Sequence, residues 1–423
     1  MQDRKAYIEK INLISIFLIH FKSFNYTIYQ NLYNRLHKSK LLLFLSINNH
    51  QLLFMKTMKR LIILSLLLTL FINVFADGGN EKKYFKSSYI KKAMKNALDW
   101  QFAHPKHKLW DWTNGAYYAG VFSAYQTLQK PYILDSLMAM GERNKWKPGP
   151  RIHHADDWTI CQTYIDLYRI KKDQRMIQPF IDTLKVFGKT TNKEVVAHGI
   201  TWWWCDALFM GPPALFKLAV TLKDNNYLLM SDTLFKQTYN LLYNKEENLF
   251  ARDAGYLWTG SPNDRKEKNG KLIFWGRGNG WVMGGLVKVL MEMPASYPNR
   301  NYYIEIFKQM ANKLTTIQQP DGFWRTSLLD PDSYPGGEAS GTGFYCYALA
   351  WGINQGILDK ATFLPIAKKA WVGLCKAQKK DGMIGWVQPI GADPQRNFSP
   401  DSWEVYGTGA FLSAGSEIIK LKL

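Results

Sequence analysis

From residue 89 onward, apolar positions recur with the spacing of amphipathic helices, and the chain divides into twelve predicted segments. These are 89–103, 115–128, 132–144, 155–170, 174–188, 204–222, 226–243, 277–293, 301–318, 341–357, 361–378 and 404–421. Connections after even-numbered segments are short, as in Gln129-Lys130-Pro131, Lys171-Lys172-Asp173 and Lys223-Asp224-Asn225. Such loops force antiparallel neighbours. Connections before even-numbered segments are long and rich in Gly, Trp, Asp and Pro. The pattern predicts an all-α closed ring of six helical hairpins, with function on the elaborate end.

The even-numbered segments carry small residues: Gly115 and Gly120, Gly280, Gly284 and Gly285, Gly407 and Gly409. Small residues permit close helix packing, so these segments are assigned to an inner ring. A repeated unit supports the ring, because Glu338-Ala339-Ser340-Gly341-Thr342-Gly343 is echoed by Glu404-Val405-Tyr406-Gly407-Thr408-Gly409. Asp321-Gly322-Phe323-Trp324 and Asp381-Gly382, with Trp386 shortly after, occupy matching places.

Composition narrows the class. A chain of 423 residues, 47% hydrophobic and 15% aromatic, has ample apolar material for a core. Before the helical region, Met55 opens a run resembling an export signal, with Lys56, Lys59 and Arg60 ahead of the apolar stretch 61–74 and Val74-Phe75-Ala76 as the cleavage pattern. The run is short for a membrane span. The expectation is a signal peptide over 55–76, a periplasmic mature protein forming a single catalytic domain over 77–423, and no stable membrane insertion after cleavage. Residues 1–54 are read as a mis-assigned upstream extension, since an export signal works at a true N-terminus; a real extra helix or anchor is the alternative. The net charge of +20 shrinks without this basic region but stays positive, which favours polyanionic partners. Nucleic acid is not expected, for want of zinc-finger spacing, an RNA-binding signature or a basic helix. Cys161, Cys205, Cys346 and Cys375 lie too far apart for a CxxC metal site and are expected to be mostly buried and free.

If the even segments are inner, their N-terminal ends converge on one mouth. Trp112 and Asn114, 153–157, Asp206, Trp275 and Arg277, Glu338, and Trp403 with Glu404 meet there. Aromatic faces beside carboxylates and amides are how proteins hold sugars. Any one of the tryptophans is equally explained by packing. Asp206 lies among aromatic and apolar residues in 202–213, where desolvation raises a carboxyl pKa and suits it to proton donation; a helix N-cap is the plainer role. Asp156 and Asp157 offer a second carboxylate, with the same N-cap alternative for one of them. His153, His154 and His198 show no metal-ligand spacing, so metal catalysis is not expected. Arg277, between Trp275 and Trp281, has the planar fork that suits a carboxylate or a pair of hydroxyls.

Taken together, His154-Ala155-Asp156-Asp157, 204–211, 275–281 and Glu338-Ala339-Ser340-Gly341 resemble glycoside hydrolase family 105, the unsaturated rhamnogalacturonyl hydrolases, with the likeness running from about residue 99 to 417. The resemblance implies an (α/α)6 barrel and a cofactor-independent reaction on the unsaturated galacturonyl end of lyase-cut rhamnogalacturonan. It further implies Asp206 as catalytic acid and base, and Asp156 as the second aspartate, with Asp157 as the other register. Trp112, Asp157, His198, Trp204, Trp275, Arg277, Trp281, Glu338 and Trp403 are expected to contact substrate. Arg252 stands where the family carries a pocket histidine and joins that set. Alternatives at this stage are an unsaturated glucuronyl hydrolase of the related family 88, a sugar epimerase, and a non-catalytic carbohydrate-binding protein.

Overall fold

The structure is a computed structural model that describes residues 81–190 and 197–423; the expected upstream extension and export signal lie outside the described residues. The first hairpin is α1 (Ser87–Ala103) with α2 (Trp112–Leu128), followed by α3 (Pro131–Arg143) and α4 (Cys161–Lys171). Next come α5 (Gln178–Phe187), the single turn α6 (Ala207–Met210) leading into α7 (Pro212–Leu222), and α8 (Asn225–Leu242). The last third contains α9 (Gly276–Glu292), α10 (Arg300–Ile317), α11 (Ala339–Asn354), α12 (Lys360–Ala377) and α13 (Val405–Ile418). A short antiparallel ribbon, β1 (Tyr243–Asn244) with β2 (Leu249–Phe250), decorates the loop between α8 and α9.

The ring closes. α2 packs on α4, α4 on α7, α7 on α9, α9 on α11, α11 on α13, and α13 returns to α2. This is the inner ring of an (α/α)6 barrel, with α1, α3, α8, α10 and α12 packed outside it. The inner helices α11 and α13 are buried on every side, as a helix enclosed by neighbours must be. Glycines let their backbones touch: a Cβ at Gly120 of α2 would sit 2.2 Å from the carbonyl oxygen of Gly409 in α13, and one at Gly285 of α9 would sit 2.3 Å from that of Leu208. All four cysteines are buried and free.

Two predicted inner helices are broken at their starts. The segment over 155–170 opens as a 3-10 turn (Ala155–Trp158) before α4. The segment over 204–222 bends at Gly211, which lies under the Trp202 ring and precedes Pro212 and Pro213, two residues without amide hydrogens. At the short-loop end, α2, α4 and α7 each stop on a left-handed residue, Gln129, Lys172 and Lys223, and the chain restarts with Pro131 or with the capping carboxylates of Asp173 and Asp224. That end is tied by an ion network in which Lys217 reaches Asp166 at 2.5 Å and Glu292 at 3.3 Å, while Arg169 holds Glu292 at 2.8 Å. The long loops therefore gather at the opposite face. Among the described residues no helix is long and apolar enough to cross a membrane.

Candidate active site

At the long-loop face, three inner helices bring aromatic rings together. Asp111 caps α2 by accepting from the Thr113 amide at 3.0 Å and its hydroxyl at 2.6 Å, which sets Trp112 at the first helical position. The Trp112 ring stacks on Tyr406 of α13 at 5.4 Å and meets the edge of Trp281 of α9 at 5.9 Å. Trp275 and Trp281 are fully buried. They are the buried part of this aromatic cup, whereas Trp112 and Trp203 are half-buried.

Asp156 and Asp206 lie beside these rings and near each other: Arg252 links Asp206 to Trp203, His154 links Asp156 to Trp204, and the charge of Asp206 acts on Asp156. The Asp206 side chain makes no capping hydrogen bond to α6, so the plainer role weighed from sequence is not the one it plays. Its nearest cation is Arg252, whose Nε lies 3.7 Å from Oδ2. The strand-like pairing of Trp204 with Asp253, and the Cys205 amide bonded to the Arg252 carbonyl at 2.9 Å, bring the two segments side by side. Arg252 is itself steered by Asp253 at 2.6 Å and lies 5.9 Å from the Trp203 ring.

The two adjacent aspartates differ in their partners. Asp157 is buried and accepts three bonds from Arg151, from the backbone amide at 2.6 Å, Nε at 3.0 Å and Nη2 at 2.5 Å. It braces the loop. Asp156 is less tightly held, with Arg151 Nη2 at 3.9 Å and His154 Nδ1 at 3.5 Å. The His154 ring leans on Trp204 at 4.5 Å, and burial together with the Arg151 charge pushes its pKa down to about 4, so the imidazole is neutral near pH 7. Asp157→Ala should therefore act on the fold: the orphaned Arg151 donors and loop amide cost about 1–3 kcal/mol, read as a lower denaturant midpoint.

Burial and the negative charge of Asp206 push the Asp156 carboxyl up to about 7, against the opposing pull of Arg151. Burial also raises Asp206, held back first by Arg252, then by a backbone hydrogen bond and by Arg277. Their side chains are 17% and 12% exposed, enough to be touched from the mouth yet largely dry. Two carboxylates in one desolvated site cannot both ionise easily, so the pair retains a proton to unusually high pH.

The other expected contacts divide. Arg277 is fully buried, and its fork donates to the carbonyls of Gln388 at 2.5 Å, Pro389 at 2.9 Å and Gly391 at 3.4 Å. It clamps the 388–391 loop rather than presenting a free fork. The rings of Trp275 and Tyr406 sandwich it at 4.6 and 4.9 Å. Trp275 Nε1 donates to Gln388 on the same loop at 3.1 Å. Glu338 spends its oxygens on the Ser340 amide and hydroxyl, the Gly341 amide and the Gln388 amide, so it caps α11. Trp204 is buried beside His154. Trp403 lies further out, edge-on to Trp100 at 5.0 Å and under Lys106 Nζ at 4.7 Å. His198 is exposed at the tip of the turn between Ala197 and Ile200, outside the cup. Sequence reasoning gave no role to Asp111, Arg151, Trp203 or Tyr406. Tyr406 had left a signal inside the repeated Glu-x-x-Gly element and Trp203 inside the aromatic run 202–213, whereas Asp111 and Arg151 had left none.

A closed (α/α)6 ring whose mouth holds a dry carboxyl pair in an aromatic cup defines a six-hairpin glycosidase. The model of Glycosyl Hydrolase Family 88 matches residues 86–422, and the chain belongs to that family. It is a glycoside hydrolase. An unsaturated 3S-rhamnoglycuronyl hydrolase of Formosa agariphila is 44% identical over 352 residues, 81% of this chain and 93% of its own length. Among solved structures, a family 88 glycosyl hydrolase from Bacteroides vulgatus matches with a TM-score of 0.73 at 30% identity, covering 80% of this chain and 99% of its own. A protein described as a polysaccharide lyase matches at 34% identity and a TM-score of 0.73, over 79% of this chain and 98% of its own.

Proposed function

We propose that the protein removes the Δ4,5-unsaturated uronyl residue from the end of lyase-cut, rhamnose-containing acidic oligosaccharides, with rhamnogalacturonan fragments as the reference substrate. The observation that carries this reading is the pair Asp156 and Asp206, buried together with arginines beside them. The sp2 carbons C4 and C5 have lost the stereochemistry that distinguishes galacturonate from glucuronate. The unsaturated residue is therefore the same from either parent, and selectivity rests with the sugar behind it. Rhamnose in that position agrees with the name of the Formosa relative.

Chemically, Asp206 gives its proton to C4 as the C4=C5 electron pair forms the new C–H bond, and the ring oxygen stabilises the cation at C5. Water adds at C5 and returns a proton to the aspartate. The C5 hemiketal opens by breaking its bond to the ring oxygen, which leaves a hemiacetal at C1; that collapses to an aldehyde and releases the aglycone alcohol. One carboxyl serves both proton steps, and Arg252 supplies a positive field for the substrate carboxylate. The run over 55–76 supports action after export to the periplasm.

The test is the ultraviolet absorbance of the conjugated double bond, followed on lyase digests of different acidic polysaccharides. Hydrolysis bleaches it. The lyase reading, favoured by one structural relative, predicts that absorbance grows on uncut polymer. For pH, Asp156 lies above its ordinary value when folded, so its protonated form is favoured in the native state. Turnover is expected to fall as pH rises past about 7, where the proton that the pair retains for Asp206 to deliver is lost. The associated stability is full below the unfolded carboxyl pKa and is lost as pH rises through the folded one. Asp156→Asn should accordingly melt higher than wild type at pH 8 and close to it at pH 4.

A further inference from the structure

Outside the cup, on the same face, a second cavity of about 310 Å³ lies between the C-terminal ends of α1 and α3 and the first half of α2. That is the scale of an ordinary ligand pocket. Its lining carries Lys106, His107 and Arg143 and no acidic residue. The wall over 105–109 is braced: Asn114 Nδ2 donates to the carbonyls of Lys106 at 2.8 Å and Lys108 at 3.0 Å. Lys106 and His107 both reach the buried Glu404, each at 2.6 Å. His107 holds a left-handed backbone at φ 64°, a conformation that a residue with a side chain keeps only where its surroundings impose it.

Arg143 differs from this braced wall. It is exposed, and among the described residues it makes no ion pair. Tyr117, on the inner wall, adds a buried hydroxyl with no hydrogen-bond partner in the protein. The cavity also stands next to the cup in the fold. Glu404 precedes α13, whose Tyr406 stacks on Trp112, and Trp403, the residue before Glu404, lies under Lys106. A guanidinium without an ion pair at the edge of this hollow, whose lining also carries Phe102, Tyr117 and Tyr118, has the chemistry to hold an anionic sugar.

We propose that this cavity binds an acidic pyranose, bearing a carboxylate or a sulfate ester, in the part of the oligosaccharide distal to the residue that is cleaved. The placement rests on the hydrolase reading of the cup. It makes Arg143 a specificity residue for chain length and charge, separate from the reacting atoms.

The experiment compares wild type, Arg143→Glu and Arg143→Lys on an unsaturated disaccharide and hexasaccharide from one lyase digest, with and without prior desulfation. A saturated hexasaccharide, which has no double bond to hydrate, is titrated by calorimetry into each protein. Arg143→Glu is expected to raise KM for the hexasaccharide and weaken the titrated affinity by roughly tenfold, the scale of one charge-assisted contact. The kcat and the disaccharide kinetics stay at wild-type values, and Arg143→Lys recovers most of the loss. An effect abolished by desulfation identifies the sulfate ester as the recognised group, and one that persists identifies the carboxylate. Unchanged KM and affinity in Arg143→Glu overturn the proposal, as does an equal rise in KM for the disaccharide. Absent turnover by wild type alongside Arg143-dependent affinity refutes the hydrolase reading and leaves the sugar-binding cavity standing.

Discussion

Asp206→Asn is expected to reduce turnover of unsaturated oligosaccharides by at least about 10²–10⁴-fold, the contribution of a positioned general acid, while leaving the protein folded. The amide has the shape of the carboxyl, and the native side chain makes no capping bond whose loss would loosen α6. What disappears is the proton. The site gives Asp206 burial to raise its pKa and Arg252 to hold it in check, and an asparagine can use neither. Thermal melting should stay at or above the wild-type value, since a buried ionisable group has been neutralised. The check is loss of bleaching under single-turnover conditions, with the melting curve as control. Full activity in Asp206→Asn would transfer the acid role to Asp156, the member of the pair whose carboxyl is lifted to about 7.

The second large effect is structural and comes from a single methyl group. Gly120→Ala in α2 places a carbon 2.2 Å from the Gly409 carbonyl oxygen and 2.7 Å from the Gly409 Cα. Both neighbours are backbone inside an inner helix, so no side chain can rotate away; α2 and α13 must separate, and the ring loses contact along that seam. Overpacking of ordinary cores costs about 1–3 kcal/mol, and a backbone obstacle puts this case at or beyond the upper end. Gly188→Ala is the matched control, because a Cβ there finds its nearest atom, the Leu184 carbonyl oxygen, at 3.6 Å, and its φ of −67° suits any residue. Gly120→Ala should be recovered mostly insoluble or with a clearly lower denaturant midpoint, and Gly188→Ala should match wild type. Equal stability in the two variants would mean that the inner helices are not packed backbone to backbone.

Much of the architecture was legible before any coordinates. Helical periodicity, loops of alternating length and glycine-rich even segments predicted twelve helices in two rings, and the observed elements depart mainly where a local device intervenes. Gly211 with Pro212 breaks one inner helix, and a 3-10 turn at 155–158 opens another. The candidate site was legible as a neighbourhood but not as a set of roles. Glu338, Asp157 and Arg277 carry the charge and geometry of ligand-binding groups, yet each is consumed within the protein, by helix amides, by Arg151 and by the carbonyls of the 388–391 loop.

By itself, the sequence determined the ring of hairpins and placed its long loops at one end, because periodicity, turn residues and small-residue packing act locally along the chain; it offered the aspartates only as candidates. Only the tertiary structure decided which of those polar groups keeps its valence free for a substrate. That depends on partners far away in sequence: Asp157 is occupied by a neighbouring loop, while Asp156 is left near Asp206. A carboxylate's role is set by what already bonds to it, and such bonds are made across space.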